Sequence, residues 1–349
     1  MTKLFKPLFP ILYQGSSRRA SGRSGYFEGW YFKQTTNAST SAGNVNRAVS
    51  FIPGISRASA GSRDGDGAFV QMIDGASGTT RFFPFSAGEF SASDDPFEVR
   101  VGRNRFSLSG LSVDLEDESG RVRAELEYGG TTPPSQPFPW PGVMGPYSFA
   151  PFMECYHGIA SLDHRVDGYV EIGGGVQGAA TTMIGFDDGR GYIEKDWGRS
   201  MPRSWLWVQC NTFDAAIGPA SFFLSLARVP WLGGWFNGFI SILLVGGKEY
   251  RFASYTGARV ELLTFDGSTV SAMLADRSWK LELTVRRSHE GSLAAPMDGA
   301  MNRRISESAD SWVRVALKRR HGAADVPVFD AYSPAAEVEV VGDVDSLRP

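Results

Sequence analysis

Along most of the chain, hydrophobic residues recur at every second position, and almost nothing repeats at 3.6. Short runs rich in Val, Ile, Phe, Tyr, Trp and Thr alternate with polar residues and stop at Gly, Pro, Asn or Asp, which is the pattern of half-buried strands. In the first half these runs are 26–34, 47–51, 68–73, 97–101, 106–108, 113–115 and 122–128. Explicit turns separate several of them, among them Asp64-Gly-Asp-Gly67 and Asp74-Gly75. Many short strands at close spacing predict barrels or sandwiches, not a helical or mixed fold.

A proline-rich stretch, residues 131–142, excludes helix and central strand and reads as an extended surface segment. Strand patterning resumes over 153–160, 168–172 and 176–186, and Asp187-Asp-Gly-Arg-Gly191 forms a turn. Beyond it come 205–213, 221–227, 239–245, 250–253, 260–264, 270–274 and 279–286. A polar loop near 288–307 and strands over 312–318 and 336–341 follow. Two antiparallel barrels in tandem account for this better than one sheet of some twenty strands. The predicted division is a basic and apolar arm over 1–25, a first barrel over 26–188 and a second over 189–349. One connection is unusual: 228–237 carries Trp231, Leu232, Trp235 and Phe236 where polar tip residues are expected. It reads as a segment folded over the core, an apolar lip over a cavity, or a membrane-docking loop.

Composition narrows the function classes. The 349 residues are 42% hydrophobic with a formal net charge of -3, which gives no positive field for nucleic acid. Cys155 and Cys210 are too few for a disulfide framework. No run approaches the ~18 apolar residues of a membrane-spanning helix. The expectation is a cytoplasmic protein. Its arm, with Lys3, Lys6, Arg18, Arg19 and Arg23 among apolar residues, is either an ordinary flexible tail or a peripheral membrane attachment.

Several motifs are set aside. Gly173, Gly175 and Gly178 match G-x-G-x-x-G, but a strand follows where a nucleotide site needs a helix. Neither a Walker loop nor G-x-S-x-G is present. His157, His164, His289 and His321 have no metal-ligand spacing, so no metal is expected. Asn37-Ala38-Ser39 is a glycosylation sequon that matters only on export.

Two stretches place ionisable groups in apolar strands. Tyr192, Glu194 and Asp196 occupy alternate positions and share one face, ahead of Trp197, Trp205 and Trp207. A carboxyl held dry against indoles keeps its proton. Lys195 and Arg199 adjoin these acids, and a cation turned inward would defeat that role. Glu154 and His157 lie in a second apolar strand, where each costs free energy unless paired.

Three blocks together resemble the tocopherol cyclase family: Gly25-Tyr-Phe-Glu-Gly-Trp-Tyr-Phe-Lys33, the stretch Trp140–Gly158, and Gly191–Gly198 with Trp205–Asn211. The likeness extends to Leu293-Ala-Ala-Pro296 and Ala335-Ala-Glu-Val-Glu-Val340. The resemblance implies two lipocalin-like barrels, in a wider group that includes carotenoid 1,2-hydratases. It implies cofactor-independent isomerase chemistry: an alkene of a prenylated hydroquinone is protonated and the ring hydroxyl captures the cation. The related hydratases carry a Tyr-x-Asp motif matching Tyr192 and Glu194, with Glu here one methylene longer. On that reading Glu194 is the acid and Asp196 its modulator, with Tyr192, Glu154 and His157 as further catalytic candidates. Trp30, Trp197, Trp205 and Trp207 offer π faces to the cation, and Trp231 and Trp235 border the entry of a lipophilic isoprenoid substrate. The rival readings are a non-catalytic isoprenoid carrier and a hydratase-like enzyme.

Overall fold

The structure, a computed structural model, describes residues 10–15, 24–40, 45–60, 62, 65–136, 139–140, 142–151, 153–173, 180–214, 218–288, 290–321 and 324–349. The arm's Lys3, Lys6, Arg18, Arg19 and Arg23, together with Gly175, Gly178 and His289, lie outside the described residues.

The first sheet contains β1 (Tyr26–Thr35), β2 (Ala48–Arg57), β3 (Gly67–Asp74), β4 (Thr79–Ser86), β5 (Phe90–Asp94), β6 (Phe97–Val101), β7 (Asn104–Ser107), β8 (Gly110–Asp117), β9 (Gly120–Gly129), β10 (Cys155–Ile172) and β11 (Thr182–Gly198). The second contains β12 (Trp205–Cys210), β13 (Ala220–Trp231), β14 (Gly234–Val245), β15 (Lys248–Ala253), β16 (Arg259–Asp266), β17 (Thr269–Ala275), β18 (Trp279–Arg286), β19 (Glu290–Met297), β20 (Ala300–His321) and β21 (Ala324–Val341). All the pairings are antiparallel.

Both sheets share one topology. The first runs β4-β3-β2-β1-β11-β10-β9-β8-β7-β6-β5 and the second β15-β14-β13-β12-β21-β20-β18-β17-β16, with β19 on β20. In each, the first strand pairs with the last. The two edges are consecutive in the chain: β4 reaches β5 through the 3-10 turn Ala87–Glu89, and β15 reaches β16 through residues 254–258. A connection that short spans only about 3.3–3.6 Å per residue, so each sheet curls until its edges are neighbours. The result is two tandem antiparallel barrels, as the strand pattern predicts, of the lipocalin-like kind that the family resemblance implies.

The barrel interiors are filled by side chains. Trp30, Phe32, Phe51, Phe106 and Ile193 pack in the first, and Leu206, Val208, Phe222, Leu243 and Val338 in the second. Where the barrels meet, strands are buried on both faces and lose the one-sided alternation. In β12, Leu206, Val208 and Cys210 enter the barrel core, while Trp205 and Trp207 enter a third cluster with Tyr31, Tyr192, Phe223 and Ile242. That third cluster is the seam.

Three expectations are corrected. The boundary near residue 188 falls inside β11, which belongs wholly to the first sheet; the sheets change between Gly198 and Trp205. The polar loop near 288–307 is the β19–β20 hairpin, in which Ser292 and Arg304 face out while Leu293, Ala295 and Ile305 join the seam and Glu307 is buried. The connection at 228–237 is a tight hairpin with Trp231 paired to Gly234. Its two turn residues, Leu232 and Gly233, both have positive φ (47° and 84°), matching the twist of the flanking strands.

Part of the arm is also docked. Leu12 is buried in the first core, and the Ile11 carbonyl accepts the Trp30 indole N–H at 2.8 Å. Glu28 accepts the backbone N–H groups of Gln14 and Gly15 at 2.6 and 2.9 Å.

Candidate active site

A cavity of about 180 Å³ lies between the two barrels. Most of its wall is apolar, formed by side chains such as Phe69, Met144, Trp205, Trp207, Phe239 and Leu293. An imidazole and three carboxyls interrupt that wall: His157, Glu194, Asp196 and Glu339.

The first three come from adjacent strands. β10 and β11 pair His157 with Asp196, and the alternation of β11 turns Tyr192, Glu194 and Asp196 toward the seam. Gly191 and Gly198 bracket this stretch. A Cβ at Gly191 would sit 2.1 Å from His164 Nε2; one at Gly198, where φ is 155°, would sit 2.3 Å from the Glu154 carbonyl oxygen. Only glycine lets β10 lie this close.

Glu194 is 4% exposed. Its Oε2 accepts the Tyr192 hydroxyl at 2.5 Å and the Trp207 indole N–H at 3.2 Å, and His157 Nε2 is 3.6 Å from the same oxygen. Burial pushes its carboxyl up, to about 7; His157 opposes that rise, Asp196 adds to it, and the two donors oppose it. His157 Nδ1 is 2.9 Å from Asp196 Oδ1. Burial lowers the imidazole's pKa, but Glu194 and Asp196 outweigh it and raise the value to about 9. The ring stacks on Phe223 at 5.1 Å, with planes within 5°. Near neutral pH the group is therefore an imidazolium on Asp196 beside a Glu194 carboxyl that holds a proton about half the time.

Lys195 does not interfere. It points into the first barrel, pairs with Glu28, and donates to the Leu12 carbonyl at 2.6 Å. Its ammonium also lies over the rings of Trp30 and Trp197 at 4.8 and 4.7 Å. Arg199 pairs with Asp298 at 3.0 Å, out in solvent.

The same alternation removes three candidates from the cavity. Trp30 belongs to the first barrel's interior, and Trp197, on the Lys195 side of β11, stacks on Tyr156 at 5.5 Å. Glu154 precedes β10, half-buried near Arg199 and Arg303, with its carboxyl pushed up by burial. Trp205 and Trp207 line the cavity as expected. Trp231 sits at the rim, edge-on to Tyr147 and Phe236 at 5.6 Å from each. Trp235 is 46% exposed over Arg228, beside a separate shallow hollow.

A second acidic cluster went unread in the sequence. Glu307 and Glu339 are cross-strand partners on β20 and β21, and both are buried. Tyr31 donates its hydroxyl to Glu307, and Trp205 its indole N–H to Glu339. Burial and neighbouring carboxylates push both carboxyls up. The one available signal was the alternation of Glu337 and Glu339 with Ala336 and Val338, which also describes an ordinary solvent-facing strand.

His157, Glu194 and Asp196 each offer a ligand atom, all within 4.8 Å of one another, a spacing a divalent cation could also use. Their hydrogen bonds equally make them a self-contained acid–base group.

Fold and site define a two-barrel protein with a buried, acid-bearing cavity at the barrel junction. The chain belongs to the tocopherol cyclase-like family, whose model matches residues 167–342. It is 26% identical over 199 residues to a probable chloroplastic tocopherol cyclase of Oryza sativa subsp. japonica, covering 55% of this chain and 40% of that one. The chloroplastic tocopherol cyclase of Zea mays matches with the same identity and coverage. The chain thus spans less than half the length of these curated relatives. Among solved structures, that of CghA is similar at TM-score 0.52 and 12% identity, covering 91% of this chain and 88% of that one. A second structure, CghA with Sch210972, gives 0.51 at 12% identity with the same coverage. These likenesses concern the fold.

Proposed function

We propose that the protein is a cofactor-independent cyclase that closes an oxygen ring on a prenylated hydroquinone by proton transfer in the seam cavity. The observation that carries this reading is Glu194: a buried carboxyl, hydrogen-bonded by Tyr192 and Trp207 and lining an apolar cavity, where burial pushes its pKa up. Because Tyr192, Trp207 and His157 converge on Oε2, the acid proton sits on Oε1. Transfer of that proton to the trisubstituted alkene leaves a tertiary cation on the chain and a carboxylate on Glu194. The adjacent imidazolium of His157, held by Asp196, stabilises the new carboxylate.

Trp205, Trp207 and Tyr31 offer π faces toward the cation, replacing Trp30 and Trp197 in that role. The ring hydroxyl then attacks, one C–O bond forms, and the hydroxyl proton leaves. One proton is added and one lost, so the product has the mass of the substrate and no oxidant is involved. An apolar wall that excludes water favours this internal capture over hydration.

Among the described residues no helix is long and apolar enough to cross a membrane. We place substrate entry at the apolar rim around Trp231, with the tip of the same hairpin, where Leu232 is 81% exposed, as a point of peripheral contact with a lipid surface.

The test is incubation with a geranyl-substituted 1,4-hydroquinone, followed by chromatography and mass spectrometry. A cyclase yields a product of equal mass with one fewer hydroxyl. Glu194→Gln should lower turnover by about 10²–10⁴-fold. Full turnover in that variant would refute the acid assignment. Recovery of the hydroquinone bound and unchanged would make the protein a carrier.

A further inference from the structure

The acidic pair on the second barrel has no part in the steps above. We propose that Glu339, backed by Glu307, is the acceptor for the proton that leaves the ring hydroxyl, an inference that rests on the cyclase reading.

The argument begins with strand geometry. Glu307 and Glu339 are directly opposite on β20 and β21. Two like charges in that position repel, and here both side chains are buried, Glu307 being only 1% exposed. The nearby groups supply hydrogen bonds, and the cation whose charge reaches Glu339, Arg303, makes no ion pair with it at contact distance. Tyr31 and Trp205 each donate to one of the carboxyls. Lys33 is committed to Glu337 at 3.8 Å, and it also donates to Gln209 Oε1 at 2.8 Å and the Ala335 carbonyl at 3.0 Å. Arg303 lies on the Trp205 ring, 4.9 Å from its centre. The Glu307 and Glu339 carboxyls lie within hydrogen-bond reach of each other. The stable arrangement is one proton and one charge shared by the pair, leaving a lone pair on Glu339 for a substrate.

The pair's position gives it a use. Glu339 lines the same cavity as Glu194. Trp207 connects the two, for its backbone is the cross-strand partner of Glu339 while its indole N–H reaches Glu194 Oε2. The cavity thus has two polar poles, one on each barrel, with apolar wall between them. Cyclisation needs that division: a proton is given to carbon at one end of the folded chain and taken from oxygen at the other. As the O–C bond forms, the hydroxyl O–H bond breaks and its proton passes to Glu339, neutralising the pair. Glu194 is left as a carboxylate, and return of the proton from Glu339 to Glu194 resets both. Burial makes Glu339 a stronger base than an exposed carboxylate.

The test compares wild type, Glu339→Gln and Glu307→Gln on geranyl-hydroquinone and on a ring-fluorinated counterpart with a more acidic hydroxyl. Glu339→Gln should lower kcat on the parent by about 10²–10⁴-fold, and the deficit should shrink at least about tenfold on the fluorinated substrate, which sheds its proton more readily. Glu194→Gln should show no such rescue. Wild-type rates in Glu339→Gln, or an equal deficit on both substrates, would overturn the acceptor role while leaving the cyclase reading intact. A wild-type protein that converts neither hydroquinone would overturn the cyclase reading, and the acceptor role with it. Infrared spectra without substrate check the shared proton: the carboxylic-acid carbonyl band should change in both Gln variants, and a band unaltered in both would refute the pairing.

Discussion

Glu194 and Lys195 are adjacent in the chain and serve different barrels. Glu194 faces the seam, in contact with Tyr192, Trp207 and His157, whereas Lys195 is buried in the first barrel against Glu28. One peptide unit of a strand separates an acid that must stay neutral from a cation that would ionise it.

The pH dependence follows. Glu194 has a carboxyl raised to about 7, and the proposed step uses its protonated form. The loss of that form should make kcat/KM fall about tenfold per pH unit on the alkaline side, well above 7. A profile that instead rose through neutrality would point to the carboxylate as the working form.

Lys195→Met should destabilise the protein by roughly 3–5 kcal/mol, because it strands Glu28 as a buried charge. Denaturant titration would measure the loss. Lys195→Met combined with Glu28→Gln should recover much of it, and the pH profile of either variant should match wild type.

His157 contributes stability with a defined sign. Its folded pKa of about 9 lies above the ordinary 6.5, so the native state binds the extra proton. The stability difference between wild type and His157→Gln should be largest below pH 6.5 and shrink as pH rises through 9. A difference that grew over this range would exclude an imidazolium at this position.

Phe223 supports the imidazole from the second barrel and is fully buried. Phe223→Ala should cost about 3–5 kcal/mol of stability. Because it frees the ring that holds Asp196 and Glu194 in register, it should lower kcat more than it raises KM.

Dialysis against a chelator distinguishes the two uses of the His157–Glu194–Asp196 group. Turnover should be unchanged. Loss of activity, restored by one divalent ion, would reassign these residues as metal ligands.

Much of the first acid group was legible because it rests on period two. Tyr192, Glu194 and Asp196 share a face in any strand, and Lys195 is on the other. The alternation also required Trp197 to leave the cavity with Lys195, a consequence the sequence reading did not draw. Glu307 and Glu339 were hidden for a different reason. Alternate acids in a strand ordinarily face water, and what covers these two, Tyr31 of the first barrel on Glu307 and Trp205 on Glu339, is remote in sequence. The β19 strand was missed because small residues blur its alternation: Ala294 and Ala295 are buried on opposite faces. Burial by another domain leaves little trace in the segment that is buried.

Each barrel begins and ends on neighbouring strands, β1 with β11 and β12 with β21. The chain therefore enters and leaves each half at one place, and that place is the wall of the cavity. Substitutions on one outer face can remodel a substrate pocket without touching either packed interior, so new chemistries can evolve on this scaffold while folding is conserved.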